Sequence, residues 1–273
     1  MNIVSSHTGN RVTGTTGRDH KIGLASLVLS VSVAVAAQVG MITEFTGGDV
    51  IAGPNGAVSS IDGSTTQYRA TEYHESGIKM TTTGDSIFIG NYYGGGNGVI
   101  HGHWSSMTQV KFEKVDGSSF DTNYFKLTSN PTRALGHSGG APGNAVVSIV
   151  ASVDGTTESF RVTMPGEEWG DEFRGDRSVT EVYLGPEFDG IKAFWFESDI
   201  AELQCFGMDT FYIDLPPPVP TSGTAIVLGS GSVQDAISGG SSSQATAVPA
   251  VPYFMLMMLS AALGFFGLRK LKK

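Results

Sequence analysis

Two histidines one residue apart, His101-Gly102-His103, are the first residues whose spacing suggests chemistry. On a strand, positions i and i+2 project from one face, so two imidazoles there can share a metal. Zinc needs a third and a fourth ligand, and His74 or His137 could be one. The plainer reading is two polar residues on the solvent face of a strand. The densest acidic cluster is Glu167-Glu168-Trp169-Gly170-Asp171-Glu172, followed by Asp176. Hard carboxylate oxygens in a glycine-containing loop can hold Ca²⁺, with Glu167, Glu168, Asp171 and Glu172 as ligands, although the spacing is not that of an EF-hand. A solvated acidic loop is the alternative, and no other cofactor is suggested.

Aromatic side chains offer flat apolar faces with polar edges, which suits stacking on sugar rings. Tyr92 and Tyr93 sit in a Gly-rich loop and Trp169 sits among acids, so these three are the expected glycan contacts. Trp195, between Phe194 and Phe196, reads as core. His137-Ser138-Gly139-Gly140 is no hydrolase signature, because there is no G-x-S-x-G elbow and no βαβ pattern to carry one. Gly94-Gly95-Gly96-Asn97-Gly98 lacks the lysine and the following helix of a phosphate cradle. The single cysteine, Cys205, lies beside Phe206 in an apolar stretch and reads as a small buried hydrophobe. A glycosidase carboxylate pair depends on a separation across a cleft that spacing does not supply. No residue set names a reaction, so the expectation is a protein that is not an enzyme.

Charge narrows the partners. Of 17 Lys and Arg, seven lie in the two ends of the chain, against one of the 26 Asp and Glu, Asp19. The middle therefore carries ten bases against 25 acids. Nucleic acid is excluded, since a phosphate backbone needs basic contacts for its counterion-release affinity.

The elements that position these residues are short strands. Residues 77–83, 85–90, 98–104, 108–115, 124–128, 145–153, 158–164, 179–184, 191–197 and 211–215 are β runs bounded by turn residues. In 108–115, Val110 and Phe112 alternate with Gln109, Lys111 and Glu113, the pattern of a half-buried antiparallel strand. The strongest hairpin signal is Asp154-Gly155 between 145–153 and 158–164, and 42–70 should add one or two irregular edge strands. Many short strands with Gly-rich turns and no long helical period predict an all-β, antiparallel two-sheet sandwich of jelly-roll type over residues 38–215. An immunoglobulin-like sandwich is the second choice. Four prolines in Pro216-Pro217-Pro218-Val219-Pro220 should close the domain, and 216–247, rich in Gly, Ser and Ala, reads as a flexible linker.

Both ends are membrane-directed. Lys21 precedes an uncharged run, 22–37, and Ala34-Val35-Ala36 supplies a small-x-small cleavage pattern, so 1–37 reads as a secretory signal cut after Ala36 or Ala37, with a non-cleaved N-terminal anchor as the alternative. At the other end, Val248-Pro249-Ala250-Val251-Pro252 is followed by an apolar run, 253–268, and by Arg269-Lys270-Leu271-Lys272-Lys273. Sixteen apolar residues rise ~24 Å as a helix, just short of a ~30 Å hydrocarbon core, and the basic cluster should stay cytoplasmic.

Prolines, a short apolar helix and a terminal basic cluster in this order resemble the sorting tails of PEP-CTERM exported proteins, which exosortase-type membrane enzymes process. Val248, Pro249, Val251 and Pro252 stand at the sorting motif, and Arg269, Lys270, Lys272 and Lys273 at the basic stop. No Glu lies between the prolines, a departure from the usual pattern; an ordinary C-terminal anchor is the alternative. In the body, Glu72-Tyr73-His74-Glu75-Ser76-Gly77-Ile78, Val110-Lys111-Phe112-Glu113-Lys114-Val115-Asp116-Gly117 and Cys205-Phe206-Gly207-Met208-Asp209 are similar to signposts of the β-sandwich domains common in that class. The resemblance implies export, an exosortase-type processing enzyme as partner, a C-terminal helix in the inner membrane before processing, and association with extracellular polysaccharide at the cell envelope, surface or matrix. An envelope glycoside hydrolase or lyase, or a purely structural surface protein, are the other readings.

Overall fold

The computed structural model describes residues 40–94, 96, 98–102, 106–133, 141, 143–166, 180–200, 202–203, 206–221 and 224–239. All of them belong to the second of the chain's two compact units, Gln38–Lys273. The expected signal (1–37), the sorting tail (248–273), Trp169, the acidic cluster Glu167, Glu168, Asp171 and Glu172, and His103, Trp104, His137, Ser138 and Cys205 lie outside the described residues. Among the described residues no helix is long and apolar enough to cross a membrane.

The regular structure of the described chain is almost entirely strand. In order, the strands are β1 (Met41–Thr43), β2 (Asp49–Ala52), β3 (Gln67–Ala70), β4 (Glu72–Glu75), β5 (Ile78–Thr83), β6 (Ile87–Gly90), β7 (Val99–His101), β8 (Gln109–Lys114), β9 (Thr122–Ser129), β10 (Val147–Ser152), β11 (Phe160–Thr163), β12 (Thr180–Leu184), β13 (Ala193–Ser198), β14 (Gly207–Ile213) and β15 (Thr224–Leu228). A short helix, α1 (Val233–Gly239), follows. Each of the ten expected β runs contains a strand. The Asp154-Gly155 turn joins β10 and β11 in an antiparallel hairpin with Ile149 opposite Val162. The Asp154 carboxylate shapes that turn by accepting from the Thr156 and Thr157 amides at 2.7 Å each.

Two sheets form. The first has eight strands in the order β15-β12-β9-β14-β7-β6-β3, with β1 also against β14; the second has seven in the order β11-β10-β13-β8-β5-β4-β2. The two strands from the irregular 42–70 region that end a sheet, β2 and β3, are edge strands as expected. All pairings are antiparallel except β12 with β15. The chain crosses repeatedly between sheets, so their inner faces come from interleaved strands. Phe112 of the second sheet lies 5.6 Å from Phe211 of the first, and Phe196 lies 5.6 Å from Phe125, measured between ring centroids. Such aromatic contacts between inner faces define a sandwich core. In β8 the alternation holds to its last residue, which carries Lys114 inward behind Val110 and Phe112.

One expectation is corrected. The folded domain does not end at 215, because β15 pairs with β12 in parallel register, Val182 opposite Ile226, and α1 packs on the same two strands. Residues 216–221, expected to begin a loose linker, run as a strap over the outer face of the first sheet. Tyr183 donates to the Pro218 carbonyl at 3.0 Å, and Glu181 accepts from the Thr221 amide at 3.3 Å. Trp195 is buried as expected, in a small cluster of its own apart from the main core. It is opposite Val150 and Lys111 on the outer face of the second sheet, where it packs with Val150 and Ala193. Its indole N–H donates to Glu197 at 2.8 Å.

Candidate functional site

The site grows from one row across the first sheet. Phe88 stands opposite His101, His101 opposite Gly207, and Gly207 opposite Ser129. Residues directly opposite in a ladder share a face, and Ile89, Ile100 and Met208, the chain neighbours of Phe88, His101 and Gly207, all go to the core. The row therefore faces outward, yet His101 is fully buried. What covers it is the loop after β6. The Tyr92 ring stacks on the imidazole at 4.2 Å, and Tyr93 meets it edge-on at 5.3 Å. The Tyr93 hydroxyl shares a hydrogen bond with His101 Nδ1 at 2.9 Å and lies 3.3 Å from Thr128 Oγ1.

Gly207 makes this closure possible. A Cβ there would lie 2.5 Å from both Ser129 Oγ and Thr128 Oγ1, and 3.2 Å from His101 Nδ1. The missing side chain lets two hydroxyls and an imidazole converge on one strand position. On the far side of the row, the Arg69 guanidinium sits 5.2 Å over the Phe88 ring and pairs with Asp85 at 3.1 Å.

Beside the row, β14 carries a bulge. Met208 is opposite Leu127 and Phe211 opposite Phe125, so Asp209 and Thr210 together oppose the single residue Lys126. A bulge re-aims side chains and interrupts the ladder. On its other edge β14 pairs with β7 at Gly207 and Met208 and with β1 at 211–213, so the bulge lies between those two partners. Burial raises the Asp209 carboxyl above its usual range; Lys126 opposes that shift and the Glu44 charge adds to it. One face thus offers two half-buried tyrosines, the Lys126 ammonium and a carboxylate that titrates high, with the buried Thr128 hydroxyl bracing Tyr93 from below.

The other half of this face is closed. Tyr212, Tyr124 and Tyr183 form a ladder with ring centroids 5.0 and 5.2 Å apart, and the Tyr124 hydroxyl donates to Glu181 at 3.1 Å. Burial, with the Glu181 charge beside it, pushes the Tyr183 hydroxyl up to about 12. The strap lies across Tyr183 and Glu181.

The structure sorts the sequence candidates. Tyr92 and Tyr93 do come together, but as half-buried partners of His101 rather than as free loop aromatics. His74 cannot join His101 at a metal. It lies on the outer face of the second sheet, bonded to Glu72 at 2.8 Å, with the core between it and His101. Among the described residues no group of three or more His, Cys, Asp or Glu is arranged to hold a metal. Lys126, Thr128 and the bulged Asp209 were not legible as site residues. Their only signal was Gly207-Met208-Asp209 interrupting an otherwise alternating strand. An acidic turn was also missed: Asp189, a residue otherwise exposed, is pushed up to about 6 by partial desolvation of its carboxyl and by the Asp121 and Glu187 charges.

No protein-family model matches the chain, and neither the curated proteins nor the solved structures hold a match to it.

Proposed function

We propose that this is an exported, non-enzymatic protein that contacts extracellular polysaccharide through the outer face of its first sheet. Its body is read as jelly-roll-like, and residues 248–273 as the tail by which it is anchored, or sorted by an exosortase-type enzyme. The observation that carries the glycan reading is the pairing of half-exposed tyrosines with polar groups at one bulge. A sugar ring needs an apolar surface for its C–H face and donors and acceptors for its hydroxyls. Tyr92 and Tyr93 supply the first, and Asp209 and Lys126 the second. The acidic balance of the chain favours a neutral glycan over a polyanionic one.

The test is a pull-down of the full chain on immobilised neutral polysaccharides, with Tyr92→Ala, Tyr93→Ala and Asp209→Asn as variants. Each should weaken retention about tenfold, the equivalent of ~1.4 kcal/mol. Retention unchanged in all three sinks the glycan site. A hydrolase or lyase reading is favoured by one observation, the raised Asp209 carboxyl with the Glu44 charge near it. Release of reducing ends from the same polysaccharides, lost in Asp209→Asn, would replace the binding reading. Intact mass and cell fraction of the mature protein in its host test the two ends: loss of 1–37 and of the tail supports sorting, and retention of Lys273 in the inner membrane supports a plain anchor.

A further inference from the structure

We propose that the seat of β15 on β12 is also a docking site for the same segment of a second copy of this chain, so that two copies exchange residues 216–239. The seat recognises the segment in detail. Tyr183 and Glu181 hold the strap at Pro218 and Thr221, and Glu187 accepts from the Ser230 hydroxyl at 2.5 Å and from its amide at 3.1 Å. Beside that carboxylate Gly185 and Gly229 leave room, since a Cβ on either would fall 2.5 or 2.7 Å from Glu187 Oε2. None of these contacts depends on which copy supplies the segment.

The segment is also separable. β15 is the end strand of its sheet and pairs with β12 alone. Of its side chains only Leu228 joins the main core and Ile226 packs against it, while the rest of that core comes from residues 45–213. Detaching β15 therefore leaves the sandwich whole and exposes a row of unpaired backbone groups on β12, the edge that a strand from elsewhere completes.

The connection sets the balance between the two arrangements. β14 and β15 run in the same direction, three strand spacings apart across β9 and β12, or ~14 Å sideways. Ile213 stands opposite Thr122 and Thr224 opposite Thr180, itself opposite Leu127, so the strap returns five residues along β9, or ~17 Å. The straight line is ~22 Å, while the eleven steps from Ile213 to Thr224 span ~36 Å extended. A single copy thus closes on itself with modest slack. Removing residues 216–220 leaves six steps, ~20–22 Å, with no slack left to close on the same copy but long enough to reach a neighbour.

The experiment mixes two full-length chains with different affinity tags, warms them to just below unfolding, cools them, and captures on one tag. Exchange predicts co-capture of the second tag in a species of doubled mass. The deletion of 216–220 should raise the fraction of doubled mass at least tenfold, and Ile226→Asp in both chains should abolish co-capture. Co-capture that survives Ile226→Asp comes from another surface and overturns the proposal, as does its absence from the native mixture together with a single-mass deletion variant. If the deletion variant does not fold, the native mixture decides alone.

Discussion

Lys114 is the one cation that the alternation of β8 drives into the sandwich, and its partner decides whether the fold tolerates it. Its ammonium lies 2.6 Å from Asp214 Oδ2, with side-chain exposures of 9% and 3%. The other Asp214 oxygen accepts from the Asp121 amide at 2.8 Å, so one carboxylate ties the ends of β8 and β14 to the start of β9. Asp214 has φ +54°, a left-handed position that Asn adopts readily, so Asp214→Asn changes the charge and leaves the backbone alone. The substitution strands a buried ammonium, which costs ~3–5 kcal/mol, whereas replacing both partners by uncharged groups of similar size is near neutral. For a domain of about 200 residues that corresponds to a fall of roughly 10 °C in Tm. Urea denaturation followed by tryptophan fluorescence measures it. Asp214→Asn should lose most of that energy, and Lys114→Met combined with Asp214→Asn should regain at least half. A single variant within about 1 kcal/mol of the native chain, or a double variant as weak as the sum of two singles, refutes the claim that the pair is desolvated and coupled.

Glu75 accepts from the Phe45 amide at 2.8 Å and the Gly47 amide at 3.1 Å, while the Tyr73 hydroxyl donates to the Gly47 carbonyl. Glu75→Gln turns an amide donor toward one of those N–H groups, and should cost ~1–3 kcal/mol and raise hydrogen exchange across 44–48. Gly207→Ala pushes a methyl into Ser129, Thr128 and His101; it should destabilise by ~1–3 kcal/mol and lower glycan retention with it, whereas Gly117→Ala at an exposed turn should spare retention. Asp189 titrates at about 6 in the fold against 3.8 in the open chain. The folded state then holds its proton more tightly, so this carboxyl's contribution to stability is greatest below the unfolded value and is lost as pH rises to about 6. Solvent screening at this exposed residue keeps the slope shallow, and denaturation midpoints of Asp189→Asn between pH 4 and 6.5 should lack that part of the decline.

Strands were legible because their signal is local. The alternation in 108–115 and the turn at Asp154-Gly155 each lie within a dozen residues, and β8, β10 and β11 formed where they were expected. The site was less legible because its geometry belongs to pairing register. Nothing near Tyr93 in the chain announces Thr128, 35 residues on, and the bulge at Asp209 exists only relative to Lys126. Exposure of Tyr92 and Tyr93 was inferred from the Gly-rich loop around them. The loop instead folds back, because His101 offers an aromatic face and a ring nitrogen on the sheet below.

The outer faces explain together what was readable at Trp195 and what was not at the proline segment. A continuous run such as Phe194-Trp195-Phe196 signals burial on both sides of a strand, and that much is true: Phe194 and Phe196 are core, while Trp195 is 7% exposed on the opposite face above Val150 and Ala193. Burial was therefore readable and the side was not, since only the parity of pairing assigns it. The proline segment fails in the complementary way. Proline ends ladder pairing by lacking an N–H, which says that 216–220 is no central strand but not whether it leaves the surface. It stays because Tyr183 and Glu181, 35 and 40 residues earlier, present a hydroxyl and a carboxylate to it, and it covers a tyrosine ladder that would otherwise be wet. Both cases concern what lies over a sheet rather than within it. A wild-type strap should therefore protect the Tyr183 ring carbons beside the hydroxyl from iodination, and a Glu181→Gln, Tyr183→Phe chain should expose Tyr124 to the same reagent; equal labelling of Tyr124 in both chains would mean that the strap covers nothing.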